Sequence, residues 1–290
     1  HACMEPLNAV AWVKNERCEM WMGTQGQSQD AQLVAAALGI PPANVQINTT
    51  FLGGGFGRRA SGASDFAVEA AHVAKGLNRP VKVVWTREDD TRGGYYRPFG
   101  LNRAQAAIGA DGLPIAYFHR NVSKPVLANT ALGSQMIPKD GLDPSTMEGS
   151  VDMPYAIPNL RAEVHNTKET VPSLWWRSVG HSGNGFVVNS VIDELANLAG
   201  QDPYRYRRAL LAGKPRHLAV LDKAAGAASW GKLLPKGHFH GIALQESFNS
   251  IVAQVAEVSV SGKQVRVHRV TCAIDCGLAV NPDQVVAQMQ

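Results

Sequence analysis

Four glycines crowd into residues 53–57 of the sequence, within the segment TTFLGGGFGRR. Glycine reaches backbone conformations with positive φ and has no side chain that would keep the backbone away from a ligand. The apolar segment NVQINTTFL precedes the cluster, and the helical pattern DFAVEAAHVAKG follows it. An ordinary surface turn needs fewer glycines than this. The sequence therefore predicts a strand, a ligand-binding glycine loop and a helix, in that order.

A second loop, WWRSVGHSGNG at residues 175–185, also leads into a helical pattern, FVVNSVIDELANLAG. The first turn of a helix presents unpaired backbone N–H groups and a partial positive charge. Both loops therefore suit an anionic ligand such as phosphate or an oxo group, and they are expected to lie close together around one such ligand. The glycine spacing matches neither the P-loop nor the GxGxxG pattern, so an NAD- or FAD-dependent oxidoreductase is only a minor alternative.

Length, composition and net charge limit the classes of protein to which this chain can belong. With 290 residues, 45% of them hydrophobic and 18% charged, the chain is expected to form about two globular domains. The net charge of +4 is mild and the basic residues are scattered, so no nucleic-acid binding is expected. No apolar run is long enough to span a membrane. Core thiols are predicted for Cys3, Cys18, Cys272 and Cys276.

The order of predicted elements indicates an α+β fold with mixed β-sheets and flanking helices. Strands are predicted for NAVAWV, CEMWMG, NVQINTTFL and VKVVWT. One hairpin is expected to turn at residues 110–112 and another at residues 261–262. Asn281 and Pro282 suit the N-cap and the first position of a last helix.

The helical patterns predict specific buried faces and ends. The first helix, SQDAQLVAAALGI, is expected to bury Leu33, Ala36, Ala37 and Ile40. The helix after the glycine loop is expected to be capped by Ser64 and to end at Gly76. YRYRR, residues 204–208, is interpreted as the polar face of a helix. A polar, turn-rich stretch at residues 212–237 predicts a domain boundary near residue 236.

Six segments, in this order along the chain, resemble the xanthine dehydrogenase/aldehyde oxidase family. The resemblance is to its large, molybdenum-cofactor-binding subunit, and it covers nearly the whole chain. The segments are TQGQ at 24–27, GGGFGRR at 53–59, TRED at 86–89, YAIPN at 155–159, WRSVGHS at 176–182 and DCGLAVNP at 275–282. WRSVGHS and the paired arginines are most similar to the isoquinoline 1-oxidoreductase beta-subunit branch, which includes membrane-associated aldehyde dehydrogenases. The implied domains are a first molybdopterin-binding domain at 1–236 and the start of a second at 237–290.

The resemblance implies roles for residues in three segments. Gln25 is similar to the glutamine that hydrogen-bonds an oxygen ligand of molybdenum, which makes it the candidate catalytic residue. The implied cofactor-binding residues are Gly54, Gly55, Phe56, Gly57 and Arg58 in the first loop, Arg177, Ser178, Val179 and Gly180 in the second, and Asp275, Asn281 and Gln288 in a third. For Arg58 and Arg59 two interpretations stay open, a solvated basic pair or ligands of the cofactor's phosphates.

The implied cofactor is molybdopterin, expected as the cytosine dinucleotide, which binds molybdenum through the pterin's own dithiolene sulfurs. No protein metal ligands are therefore expected, and HFH at residues 238–240 is not predicted to be a metal site. The implied activity is oxidation of an aldehyde, or hydroxylation of an electron-poor N-heterocycle, with oxygen from water. The implied partners are a small [2Fe-2S] subunit and, as a further candidate, a cytochrome c subunit. The family implies a periplasmic or membrane-associated location in bacteria, with the cytoplasm as the alternative.

The sequence also departs from the family pattern at several positions that bear on substrate and activity. Purine oxidases carry a glutamate where Ala60 stands, a substrate arginine near Thr146 and a stacking aromatic where Val179 stands, so a purine substrate is not expected. The family's catalytic glutamate lies in a Gly-Glu-Pro segment that this sequence does not contain, and both termini are expected to be cut. The isolated piece is therefore expected to be inactive. A noncatalytic scaffold is the alternative from another functional class.

Overall fold

The computed structural model describes residues 1–290 except residues 129, 131, 132 and 140. The chain forms two compact units, and each is assembled from discontinuous segments. Unit 1 comprises His1–Phe99, Ser123–Thr146 and Asn166–Val179, and unit 2 comprises Gly100–Val122, Met147–His165 and Gly180–Gln290. The boundary near residue 236 concerns the domains of the family and stays a prediction.

A mixed four-stranded sheet forms the centre of unit 1. Its strands are β1 (Asn8–Lys14), β2 (Arg17–Met22), β3 (Val45–Thr49) and β4 (Val81–Val84). The strand order is β3-β2-β1-β4, in which β1 is antiparallel to β2 and β4, while β2 and β3 are parallel. A parallel pair needs a crossover connection, and the helix between β2 and β3 supplies it.

Two helices, α1 (Gln27–Leu38) and α2 (Asp65–Leu77), complete the core of unit 1. Side chains alternate between the two faces of a strand, and β2 buries Cys18, Met20 and Met22. The buried face of α2 is built largely of alanines, which let the helix lie close against β1. Shorter helices are α3 (Arg87–Arg92) and α4 (Gly133–Met136). Because β3 ends at Thr49 and α2 begins at Asp65, the predicted strand, glycine loop and helix are confirmed.

Unit 2 contains two three-stranded sheets. The first consists of β5 (Gly100–Ile108), β6 (Pro114–Ser123) and β7 (Asn159–Asn166) in the order β5-β6-β7. The second is an antiparallel sheet of β8 (His238–Ser247), β9 (Ser250–Ser261) and β10 (Gln264–Asp275) in the order β10-β9-β8. Both predicted hairpins are confirmed. The mixed and antiparallel sheets also confirm the α+β class.

Four helices belong to unit 2, namely α5 (His181–Leu198), α6 (Pro203–Leu210), α7 (Pro215–Ala227) and α8 (Pro282–Met289). One apolar core contains Val188 and Ile192 of α5, Leu221 of α7 and Ile251 of β9. No helix among the residues that the structure describes is long and apolar enough to span a lipid bilayer.

The stretch predicted to be polar and turn-rich, residues 212–237, contains the helix α7, so the prediction is wrong for Pro215–Ala227. Val220, Leu221, Ala224 and Ala225 of α7 form a buried stripe at helical spacing. The helical periodicity of this stripe is hidden in the sequence because Lys, Arg, Gly and Pro residues surround it. Similarly, α6 is not a polar surface helix, because its Tyr206 and Arg207 are completely buried.

Three predicted helix details in unit 1 are also wrong. The buried face of α1 is formed by Asp30, Val34, Ala35 and Leu38, one position away from the predicted stripe. Ser64 precedes α2 in a left-handed conformation, and its hydroxyl donates to Asp30 Oδ1 at 2.5 Å instead of capping the helix. The helix ends at Leu77, and Asn78 rather than Gly76 takes the left-handed C-cap conformation.

Candidate cofactor site

The glycine loop, residues 53–59, has an unusual backbone. Gly54 and Gly57 have φ of 104° and 102°, and Phe56 between them has φ of 53°. Glycine adopts these angles readily, whereas a bulky residue is strained by them. Gly55 lacks a positive φ, and the space around it explains the glycine, since a Cβ there would lie 2.5 Å from Oε1 of Gln25. Backbone strain of this kind concentrates at ligand-binding sites.

The side chain of Gln25 lies against this loop with a fixed orientation. Its Oε1 accepts a hydrogen bond from the backbone N–H of Gly57 at 3.1 Å. Because an N–H group donates only to an acceptor, the carboxamide oxygen must face Gly57 and the NH₂ group must face away. No described residue accepts a hydrogen bond from that NH₂ group, and the residue is exposed. Gln25 therefore presents two N–H donors outward beside the glycine loop.

Residues 175–179 contact the glycine loop directly, within unit 1. The N–H of Arg177 donates to the carbonyl of Phe56 at 3.0 Å, and Nε1 of Trp175 donates to the carbonyl of Gly57 at 3.2 Å. The expected proximity of these two loops is thereby confirmed for this part of the second loop. A Cβ on Gly57 would lie 2.9 Å from the Trp175 ring, which leaves room only for glycine.

The second loop is strained as well. Ser178 has φ of 67° and Val179 has φ of 47°. Such an angle is a genuine outlier for a β-branched residue. The ring of Trp176 is stacked on His1 at 4.8 Å and lies under the guanidinium of Arg97 at 4.7 Å. These contacts on Trp176 and Trp175 hold the backbone of the loop in place, and no sequence pattern indicates them.

Gly180 lies in unit 2, where it directly precedes α5. Its N–H donates to Oε2 of Glu148 at 3.2 Å, so this helix N-terminus already has an anionic partner within the chain. The next residue, His181, lies between Glu148 at 3.5 Å and Asp152 at 3.1 Å. Burial lowers the pKa of His181, but these two carboxylates outweigh it and the pKa is raised. Sequence reasoning missed Glu148 and Asp152, which lie far from Gly180 along the chain.

The third predicted segment also belongs to unit 2, and local bonds occupy two of its side chains. Asp275 forms a bidentate pair with Arg216, with both N–O distances at 2.9 Å, and accepts from the N–H of Gly277 at 2.8 Å. The bonds from Arg216 and then Gly277 lower the pKa of Asp275 to about 2. Asn281 caps α8 by accepting from the N–H of Gln284, as predicted. Gln288 lies on α8, and contact of these residues with a cofactor stays a prediction.

The interpretation of Arg58 and Arg59 as a solvated basic pair is wrong, because both are buried. The guanidinium of Arg58 forms two bonds to Asp65, at 2.9 and 2.6 Å, and lies over the rings of Trp85 and Tyr95. Burial raises the pKa of Asp65, but the bonds from Arg58 outweigh it and the pKa is lowered. Contact between Arg58 and a phosphate stays a prediction.

The histidines and cysteines form no metal centre among the described residues, where no group of three or more His, Cys, Asp or Glu side chains could hold an ion. His238 bonds to Glu257 at 2.8 Å and stacks on His268, while His240 stacks on Trp230. Cys3 and Cys18 are buried as predicted, whereas Cys272 and Cys276 are half-buried.

The solved structures that share this fold include those of two oxidoreductases. Quinoline 2-oxidoreductase from Pseudomonas putida 86 matches 89% of this chain and 34% of its own, with a TM-score of 0.64 and 20% identity. Aldehyde oxidoreductase from Desulfovibrio gigas matches 92% of this chain and 31% of its own, with a TM-score of 0.61 and 18% identity. Likeness at these identities bears on the fold alone.

Sequence relatives extend the comparison. Isoquinoline 1-oxidoreductase subunit beta of Brevundimonas diminuta is 30% identical over 295 residues, which covers all of this chain and 37% of that protein. The membrane-bound aldehyde dehydrogenase (pyrroloquinoline-quinone) of Gluconacetobacter polyoxogenes is 29% identical over 321 residues, covering all of this chain and 41% of that protein. The chain thus spans 37% to 41% of the length of these two relatives. A family model described as the molybdopterin cofactor-binding domain matches residues 1–211.

Proposed function

The chain belongs to the molybdopterin cofactor-binding domain family, and we propose that it forms the cofactor-holding part of a molybdenum hydroxylase. The enzyme oxidises an aldehyde or hydroxylates an electron-poor N-heterocycle with oxygen derived from water. Two relatives carry names of this kind, an isoquinoline oxidoreductase subunit and an aldehyde dehydrogenase. In the same proposal residues 1–236 are a first molybdopterin-binding domain and residues 237–290 begin a second.

One observation supports this proposal most strongly. The outward NH₂ group of Gln25, the strained glycine loop and the strained segment 175–179 all meet within unit 1. Residues in rare backbone conformations persist only where the surrounding structure holds them, and such residues cluster at ligand sites. A structural turn would not need three segments that are distant in sequence to converge on it.

The residues present fit an anionic, planar cofactor. Gly55 lets the side chain of Gln25 lie directly against the loop, where a Cβ would take its place, and the exposed ring of Phe56 offers an apolar surface beside it. The bound molybdopterin would supply the redox centre. Gln25 would orient and stabilise an oxygen at that centre by donating from Nε2, while the loop backbone would position the pterin. We propose the cytosine dinucleotide form of the cofactor and a [2Fe-2S] partner subunit as electron acceptor.

Turnover by the full-length protein tests the proposal. We expect oxidation of aldehydes or simple N-heterocycles, and incorporation of ¹⁸O from labelled water into the product. Ala60, Thr146 and Val179 stand where purine oxidases hold their substrate, so xanthine and hypoxanthine should be poor substrates. Rapid turnover of xanthine with inert aldehydes would refute the substrate class. A protein that binds the cofactor but turns over none of these compounds would instead favour a noncatalytic scaffold.

A further inference from the structure

Arg59 is completely buried and joins three separate segments of unit 1. Its Nε donates to the carbonyl of Gly54 at 2.9 Å, and its Nη1 donates to the carbonyl of Gly23 at 3.2 Å. Its Nη2 forms an ion pair with Oε2 of Glu5 at 2.8 Å. The guanidinium group thus binds the glycine loop, the segment that leads to Gln25, and the N-terminal segment at once.

Glu5 extends this connection to the first residue of the glycine loop. The same Oε2 atom that pairs with Arg59 accepts from the N–H of Gly53 at 2.9 Å. The N–H of Glu5 donates in turn to the carbonyl of Gly53 at 3.2 Å. The pair of Arg59 and Glu5 therefore fixes the backbone at the start of the loop, where the chain leaves the exposed end of β3.

The backbone of Arg59 fixes the other side of the site. Its carbonyl accepts from the N–H of Gln25 at 3.0 Å. The side chain of Gln25 bonds to Gly57 of the glycine loop. Arg59 therefore holds the backbone of Gln25 through its carbonyl and the glycine loop through its guanidinium, which bonds to Gly54. Removing a hydrogen bond to a buried charged group lowers the free energy of unfolding more than removing a hydrogen bond between neutral groups, since the remaining charge is left unpaired.

We infer that Arg59 is a positioning residue, which holds the carboxamide of Gln25 against the glycine loop in the orientation that directs its NH₂ group outward. The effect of this residue on turnover rests on the proposed function, whereas its effect on the loop does not. The guanidinium is too deeply buried to bind a phosphate of the cofactor. Lysine cannot replace it fully, because a single ammonium group lacks the planar fork that reaches three acceptors.

Hydrogen exchange of the full-length protein, read at single amides, tests this inference in Arg59→Lys and Arg59→Met. The informative amides are Gly53, whose N–H is held by Glu5, and Gly57, whose N–H is held by Gln25. A matched control is Arg207, which is equally buried, pairs with Asp193 at 2.5 Å and has its bonding partners in unit 2. Arg207→Lys and Arg207→Met measure the general effect of disturbing a buried arginine.

We expect both amides to exchange about tenfold faster in the Arg59 variants than in the Arg207 variants, since a bond to a charged group has been lost. We also expect Arg59→Lys to lower kcat per bound molybdenum while leaving KM unchanged, and Arg207→Lys to change neither. Exchange equal to that of the controls overturns the inference, whereas an unchanged kcat despite faster exchange contradicts the role of Gln25 in turnover, which belongs to the proposed function. If Arg59→Met does not fold, the comparison of Arg59→Lys with Arg207→Lys tests the inference. If the purified wild-type protein contains no molybdenum, the proposed function is refuted. The exchange rates then test only whether Arg59 positions the glycine loop.

Discussion

At the scale of single residues, the site is defined by backbone strain and by the direction of one carboxamide. Phe56 and Val179 have positive φ although neither is a glycine, and the backbone of each makes a hydrogen bond, Phe56 with Arg177 and Val179 with Trp176. The oxygen of Gln25 is taken by Gly57, so its NH₂ group is left to bind a ligand. A donor held in place before its ligand arrives needs no reorganisation when charge develops beside it.

Replacing Gln25 should separate this role from cofactor assembly. We expect Gln25→Leu to retain the fold and molybdenum, because the glycine loop keeps its bonds to Arg59 and Arg177, and to lower turnover about 10²- to 10³-fold if the donor resembles one in an oxyanion hole. Gln27→Leu, an exposed neighbour, is the control. Steady-state kinetics of the full-length enzyme, normalised to bound molybdenum, would give the answer, and full activity of Gln25→Leu would exclude the role.

The sequence predicted which residues gather here better than it predicted how they are held. Glycine spacing and the helical patterns that follow identified the two loops, whereas Gln25 was implied by the resemblance to the family. Charge alone suggested that Arg58 and Arg59 were solvent-facing or bound phosphate, because burial is a property of the folded chain. Asp65 and Glu5, which pair with them, carry no pattern that marks them as partners.

At the scale of secondary structure elements, a buried hydrogen-bond network ties together parts of unit 2. His119 of β6 bonds through Nδ1 to Ser150 at 2.7 Å and through Nε2 to Asn102 of β5 at 2.9 Å. Burial lowers the pKa of His119 to about 4. The neutral imidazole therefore links β6 with β5 and with the turn that contains Ser150, and protonation is unfavourable there.

This network makes the stability of the fold depend on pH. In the unfolded chain a histidine has a pKa of about 6.5, so between about pH 6.5 and pH 4 the unfolded state binds a proton that the folded state does not. The contribution of His119 is fully present above pH 6.5 and is lost as the pH falls, by roughly 3 kcal/mol in total. In urea unfolding, His119→Gln should lose this part of the pH dependence, while the exposed His165→Gln should keep it. Parallel curves for wild type and His119→Gln would contradict the assignment.

Elements with strong periodicity or clear turns were predictable, and those with mixed patterns were not. β1, β2, β9 and β10 follow from alternation and from the turn residues between them. The helix α7 was missed because its buried stripe consists mainly of alanine and leucine between polar residues. The face of α1 was misplaced by one position because alanines are spread over the whole helix and give little contrast.

At the scale of the whole molecule, each compact unit draws on three separate stretches of chain. Local sequence patterns do not show such interleaving, since it depends on contacts between residues far apart. Unit 1 gathers Gln25, the glycine loop and residues 175–179, whereas Gly180, Asp275, Asn281 and Gln288 belong to unit 2. Unit 1 by itself therefore provides the residues to which we expect the pterin to bind.

The molybdenum and pterin content of the purified full-length protein shows whether the cofactor binds at the glycine loop, when it is measured for wild type, Gly55→Val and Gly76→Val. A side chain at Gly55 would lie 2.5 Å from Oε1 of Gln25 and 3.2 Å from Leu52, whereas Gly76 has open space around it. We predict stoichiometric molybdenum and pterin in wild type and Gly76→Val, and neither in Gly55→Val. Normal metal and pterin content in Gly55→Val would contradict the account, because the glycine loop would then not be where the cofactor binds.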